Sequence, residues 1–84
     1  MWSDITPLRV TGRNTLIFAG QGRRAVVLRN PGPSSVRLHS GALRIDIDPG
    51  LVGALTAPSD IYVHKVDQSD EHQTCEVQFA VSGT

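Results

Sequence analysis

Cysteine, lysine, methionine, tryptophan and tyrosine occur once each in these 84 residues. A single cysteine, Cys75, excludes an internal disulfide. Aromatic residues make up 5% of the chain, too few to build a base-stacking platform beside its arginines. No apolar run approaches the roughly 20 residues that span a bilayer, so no membrane partner is expected. Met1-Trp2-Ser3-Asp4 lacks the basic region and apolar stretch of a signal peptide. Synthesis in a cytoplasm, where a free thiol is unremarkable, is the expectation. A sustained 3.6-residue apolar period is also missing, which argues against helix.

The length allows one domain with a small core. Without disulfides such a domain needs unusually good packing, a metal or association with other chains. Association is the expected route. Formal charge sums to zero but is unevenly placed. Seven arginines (9, 13, 23, 24, 29, 37, 44) stand against Asp4 in residues 1–45, and seven acids stand against Lys65 in residues 46–84. The simplest arrangement sets early strands beside late ones so that the two halves neutralise each other. Head-to-tail contact between copies would also use the asymmetry.

Strand-like runs separated by turn residues recur at sandwich or barrel spacing. They fall at 8–11, 14–19, 24–29, 35–39, 43–48, 52–56, 61–66 and 74–81. The reading is an all-β fold: a small antiparallel β-sandwich or barrel of seven or eight short strands over 8–84, preceded by an N-terminal arm over 1–7. One hairpin can be set in register. Gly41-Ala42 as a two-residue loop with Gly first suits a type II′ turn. Leu38 then opposes Ile45, Val36 opposes Ile47, and Arg37 opposes Asp46 on the other face. Arg29 has no such partner in view.

Asn30-Pro31-Gly32-Pro33-Ser34 reads as a corner between strands, because a boundary there would leave two pieces too small to fold. Val26-Val27-Leu28, apolar at consecutive positions, suggests a strand covered on both faces. In the last strand Cys75, Val77, Phe79 and Val81 share a face, which makes Cys75 a small buried hydrophobe. Ile61 and Val63 alternate with Tyr62 and His64.

Catalytic constellations are missing at useful specificity, and no cofactor is implied. His64, His72 and Cys75 lack the paired short spacing of zinc ligands. Asp67-Gln68-Ser69-Asp70-Glu71 loosely resembles a calcium loop but lacks its central Gly and distal Glu, and reads as a solvated hairpin tip. Gly20-Gln21-Gly22-Arg23-Arg24 has neither the Lys-Ser/Thr nor the helix of a P-loop, and reads as a turn followed by surface arginine. Nucleic acid is therefore not an expected partner. Trp2 either folds back as a lid or anchors the arm to a neighbouring surface.

Residues 24–81 resemble small bacteriophage virion structural proteins of the capsid decoration and head fibre type. The resemblance rests on Val26, Leu28, Arg29, Asn30, Gly32, Val36 and Leu38, then on Pro49-Gly50, Leu55 to Pro58, Ile61-Tyr62-Val63 and Val77 to Val81. Such proteins often place a Gly and a long loop after the early strand; here Ser40-Gly41 turns at once into another strand. The resemblance implies a non-enzymatic decoration protein on the virion surface, partnered with the major capsid protein. A homo-oligomer, with a trimer favoured, would clamp the lattice. Trp2, Arg23 and Arg24 are the candidate contact residues. Two rival expectations are a carbohydrate- or receptor-binding module on a fibre or tail, with Tyr62, His64 and Trp2 as its platform, and a small regulatory protein binding a host enzyme.

Overall fold

The computed structural model describes residues 2–19, 22–68 and 73–82. The expected turn at Gly20-Gln21 and the acidic tip over 69–72, with His72, lie outside them. Eight strands follow in order: β1 (Thr6–Val10), β2 (Thr15–Phe18), β3 (Arg24–Asn30), β4 (Val36–Ser40), β5 (Leu43–Ile47), β6 (Leu51–Ala57), β7 (Ile61–Lys65) and β8 (Cys75–Val81). There is no helix among the described residues. One four-stranded sheet runs β1-β8-β3-β6, the other β2-β7-β4-β5, and every ladder is antiparallel. This is the strand order of a jelly roll, two facing sheets with Greek-key connections.

The order explains the charge asymmetry. Each ladder joins a strand from β1–β4 to one from β5–β8. Basic and acidic halves therefore alternate across both sheets, and Arg9 opposes Glu76 while Arg37 opposes Asp46. The β4–β5 hairpin has the expected register throughout. Gly41 takes φ +58°, the positive value that the first position of such a turn demands.

Between the sheets lies an aliphatic core of Val10, Val26, Leu28, Val36, Leu38, Ile47, Ala57, Ile61, Val63, Cys75 and Val77. The two phenylalanines sit at its margin, only partly buried. Val27 departs from expectation: the strand is not covered on both faces. Its side is the outer one, where Val27 is half-buried between Ala54 and Ala80. On β7 the alternation fails differently, because Val63, His64 and Lys65 are all buried. Lys65 opposes the core residue Val36 and is 2% exposed.

The corner after β3 is organised by Asn30, which is fully buried. Its Nδ2 donates to Ser34 O at 2.7 Å and to Ile47 O at 2.9 Å. Its Oδ1 accepts from Gly32 N at 3.0 Å and lies 3.3 Å from the Cys75 thiol. The backbone carbonyl of Asn30 accepts from Gly50 N. Four separate pieces of chain thus meet on one side chain and its backbone. The Pro-rich stretch is a corner, and Cys75 is fully buried against it.

Gly53 shapes the side where β5 meets β6. A β-carbon there would stand 2.6 Å from Ile47 Cγ1, so only glycine lets Ile47 fill the core beneath β6.

Removing the amide in Asn30→Ala would strand the buried Ile47 carbonyl and the partly buried one of Ser34. The expected loss is about 2–4 kcal/mol, read as a lower urea midpoint with an unchanged slope. Gly53→Val should cost about 1–3 kcal/mol in the same assay by overpacking. Cys75 should resist a thiol reagent in the native protein and react at the rate of unfolding; rapid native labelling would contradict its burial.

Candidate functional site

Three surfaces outside the core invite a partner. At one end of the first sheet, the arm over 2–5 runs beside the end of β8. Trp2 bridges to Ser82, and Ser3 N donates to Val81 O at 2.7 Å. Ser82 in turn pairs with Ala25, donating its backbone N–H to Ala25 O at 2.9 Å. The fold therefore brings Trp2 and Arg23-Arg24 to the same end of the sheet. Trp2 is half exposed and Ile5 is more so, at 73%. The strand begins at Thr6 rather than at residue 8, so the arm is tied down on the sheet edge along most of its length. Arg24 is half-buried, its guanidinium 5.3 Å from the centre of the Phe18 ring, and donates to Arg23 O. Arg23 itself is exposed.

The second surface is the outer edge of β6, which lies beside β5 but forms no ladder with it. Of the four edge strands, β1 carries Pro7 and Arg9, β2 is short with a register shift, and β5 carries Arg44 and Asp46. These are the devices that blunt an edge against pairing with another chain. β6, with sequence LVGALTA, has none of them. Leu51 and Val52 are 55% and 62% exposed. Beside them on β3 stands Arg29, opposite Val52 and exposed, with no ion pair among the described residues.

The third is a cleft of about 280 Å³ on the outer face of the second sheet, lined by Asn14, Arg37, His39, Gly41, Arg44, His64 and Gln68. Register sorts the outward residues of this face into two rows. Leu16, Tyr62, His39 and Arg44 lie across β2, β7, β4 and β5. His64, Arg37 and Asp46 form the next row. Arg37 Nε and Nη2 donate to the two carboxylate oxygens of Asp46 at 2.7 and 3.1 Å. That contact holds the Asp46 carboxyl below the usual aspartate range.

His39 stacks on Tyr62 with ring centres 5.6 Å apart and meets His64 edge-on at 5.2 Å. Its Nε2 is 3.0 Å from Asn14 Oδ1. His64 is 8% exposed, and its Nδ1 is 2.7 Å from Lys65 O. A carbonyl only accepts, so Nδ1 of His64 carries the proton. Gln68 closes the end of the cleft, donating to Gly12 O at 2.9 Å. Trp2 belongs to the other sheet, so the expected platform of Tyr62, His64 and Trp2 is not assembled; His39 takes the third place. Among the described residues no group of three His, Cys, Asp or Glu side chains could hold a metal ion.

Burial lowers the His39 pKa from its ordinary value, and the nearby His64 and Arg37 add to the effect. Its titration by NMR should therefore have a midpoint below about 6.5. A histidine whose folded pKa is depressed contributes stability that is full above its unfolded pKa and is lost as pH falls through the folded one. Urea resistance should accordingly decline below about pH 6.5, and His39→Gln should flatten that part of the profile.

No protein-family model and no curated protein matches the sequence. Among solved structures, the fold is similar to a de novo designed double-stranded β-helix determined by solution NMR. The TM-score is 0.60 at 17% identity, covering 94% of this chain and 96% of that one. At that identity the likeness concerns architecture, and it joins the strand order in making this chain an all-β, two-sheet double-stranded β-helix.

Proposed function

We propose that this protein is a non-enzymatic structural protein that docks on a larger lattice, as a capsid decoration protein does on the outer surface of a phage head. The observation that supports the reading is β6, a seven-residue edge strand without charge or proline. Such an edge is a template for pairing with a strand of another chain. The arm end, with Trp2, Arg23 and Arg24, supplies a second contact, joining an exposed apolar ring to a cation. A domain of 84 residues whose buried apolar cluster holds no aromatic side chain gains most from such binding, because a partner that holds only the folded form stabilises it by mass action. Jelly rolls serve in viral capsid and lectin domains alike, so the fold is compatible with this role without specifying it. In this reading the protein is a cyclic oligomer, with a trimer favoured, seated where subunits of the major capsid protein meet.

Quantitative mass spectrometry of particles purified from the natural source should find many copies in fixed ratio to the major capsid protein. Absence from particles would overturn the proposal. Val52→Glu should abolish particle binding while changing stability by less than about 1 kcal/mol, since the side chain is exposed and stands opposite Arg29. Trp2→Ala should weaken particle binding by about 2 kcal/mol or more; unchanged binding would remove the arm from the interface.

A further inference from the structure

We propose that the cleft on the outer face of the second sheet binds a carboxylate-bearing saccharide. Arg44 would hold the carboxylate, and His39 and His64 would accept from sugar hydroxyls. Two guanidinium groups line the cleft, but Arg37 is already engaged by both oxygens of Asp46. Arg44 makes no hydrogen bond or ion pair among the described residues and lies directly across from His39. Arg44 shares the field of Asp46 with Arg37, but its donors are unspent, and two guanidinium groups around one carboxylate leave a net positive charge that suits a ligand with a single negative one. The planar fork of Arg44 matches a carboxylate.

Hydrogen-bonding capacity narrows the ligand further. With Nδ1 of His64 donating to Lys65 O, the neutral ring presents Nε2 as an acceptor. With Nε2 of His39 donating to Asn14 Oδ1, the neutral ring leaves Nδ1 as an acceptor. Asn14 keeps its amide N–H groups for donation. Acceptors of this kind need donors on the ligand; a sugar supplies several hydroxyls, whereas a phosphate dianion has one and a sulfate dianion none. A sugar acid carries both the single charge and the hydroxyls.

Shape agrees. Tyr62 stacks against His39 at an interplanar angle of 22° and so holds the imidazole upright as a wall of the cleft, against which a sugar ring can rest. The cleft volume of about 280 Å³ lies at the lower end of ligand pockets, the scale of one sugar ring rather than an extended molecule. Rigidity comes from below: His64 is held by backbone, and Gln68 is pinned to Gly12. The face belongs to the sheet opposite β6, so sugar binding and lattice docking can be lost separately.

The test is a titration of the isotopically labelled protein with methyl β-D-glucuronide and with the methyl glycoside of N-acetylneuraminic acid, followed by amide NMR shifts. At least one should move resonances of Asn14, His39, Arg44 and Gln68. Methyl β-D-glucoside, which lacks the carboxylate, should bind about tenfold more weakly or worse, and Arg44→Gln should weaken the acid sugar by a similar factor. Arg44→Gln changes an exposed side chain, and an otherwise unchanged spectrum verifies its fold. Failure of both acid sugars to shift the cleft would overturn the proposal. So would inorganic phosphate binding there as tightly as the sugars, or acid-sugar binding indifferent to Arg44→Gln.

Discussion

One buried amide holds the architecture together at its most irregular point. Asn30 ends β3, and from there its side chain reaches the corner at Ser34, the last carbonyl of β5 and the first residue of β8. Its own carbonyl receives the amide of Gly50 at the entry to β6. Without the Asn30 side chain the Ile47 carbonyl would be a buried backbone acceptor and the Cys75 thiol a buried donor with one partner fewer, at the place where the chain passes between sheets. An aliphatic side chain could fill the same volume but could not satisfy donors and acceptors at once. The corner that lets a short chain switch sheets thus depends on a fully satisfied polar centre within an apolar core.

From that corner outwards, the two sheets divide their duties. The first presents β6 and the arm end, both apolar or nearly so at their exposed points. The second presents a polar face, with its imidazoles and guanidinium groups sorted into rows by the ladders of β4 with β5 and β7. Neither surface lies in a long loop. Both are built on strands, which fix side-chain spacing through backbone pairing.

Local patterns carried a good deal of this into view. The β4–β5 register, the Arg37–Asp46 pair, the buried thiol and the corner all follow from residues close in sequence or from strict alternation. What alternation could not reveal are consequences of distant pairing. His39 meets Tyr62 and His64 only because β4 lies beside β7, and nothing near either strand announces that neighbour. Val27 reads as covered because its neighbours are, yet small residues on β6 and β8 leave it at the surface. Lys65 defeats hydropathy altogether, since a cationic side chain occupies an inward position at the end of β7. The vulnerability of β6 was invisible for a related reason: an edge exists only relative to the order of the sheet. Trp2, Arg23 and Arg24 gather at one end by the same kind of long-range placement, through Ser82 and Ala25.

The alternation of early and late strands has a consequence for how the chain acquires its shape. No two of the strands β1 to β4 are partners in either sheet. A nascent chain that has emerged only as far as β4 therefore contains none of its native ladders. The β4–β5 hairpin is the one ladder between consecutive strands, and so the place where ordered structure can begin at low entropic cost. Everything else waits for β6, β7 and β8 to arrive from the far end of the sequence. Folding is on these grounds a late and non-local event, slow for so short a chain.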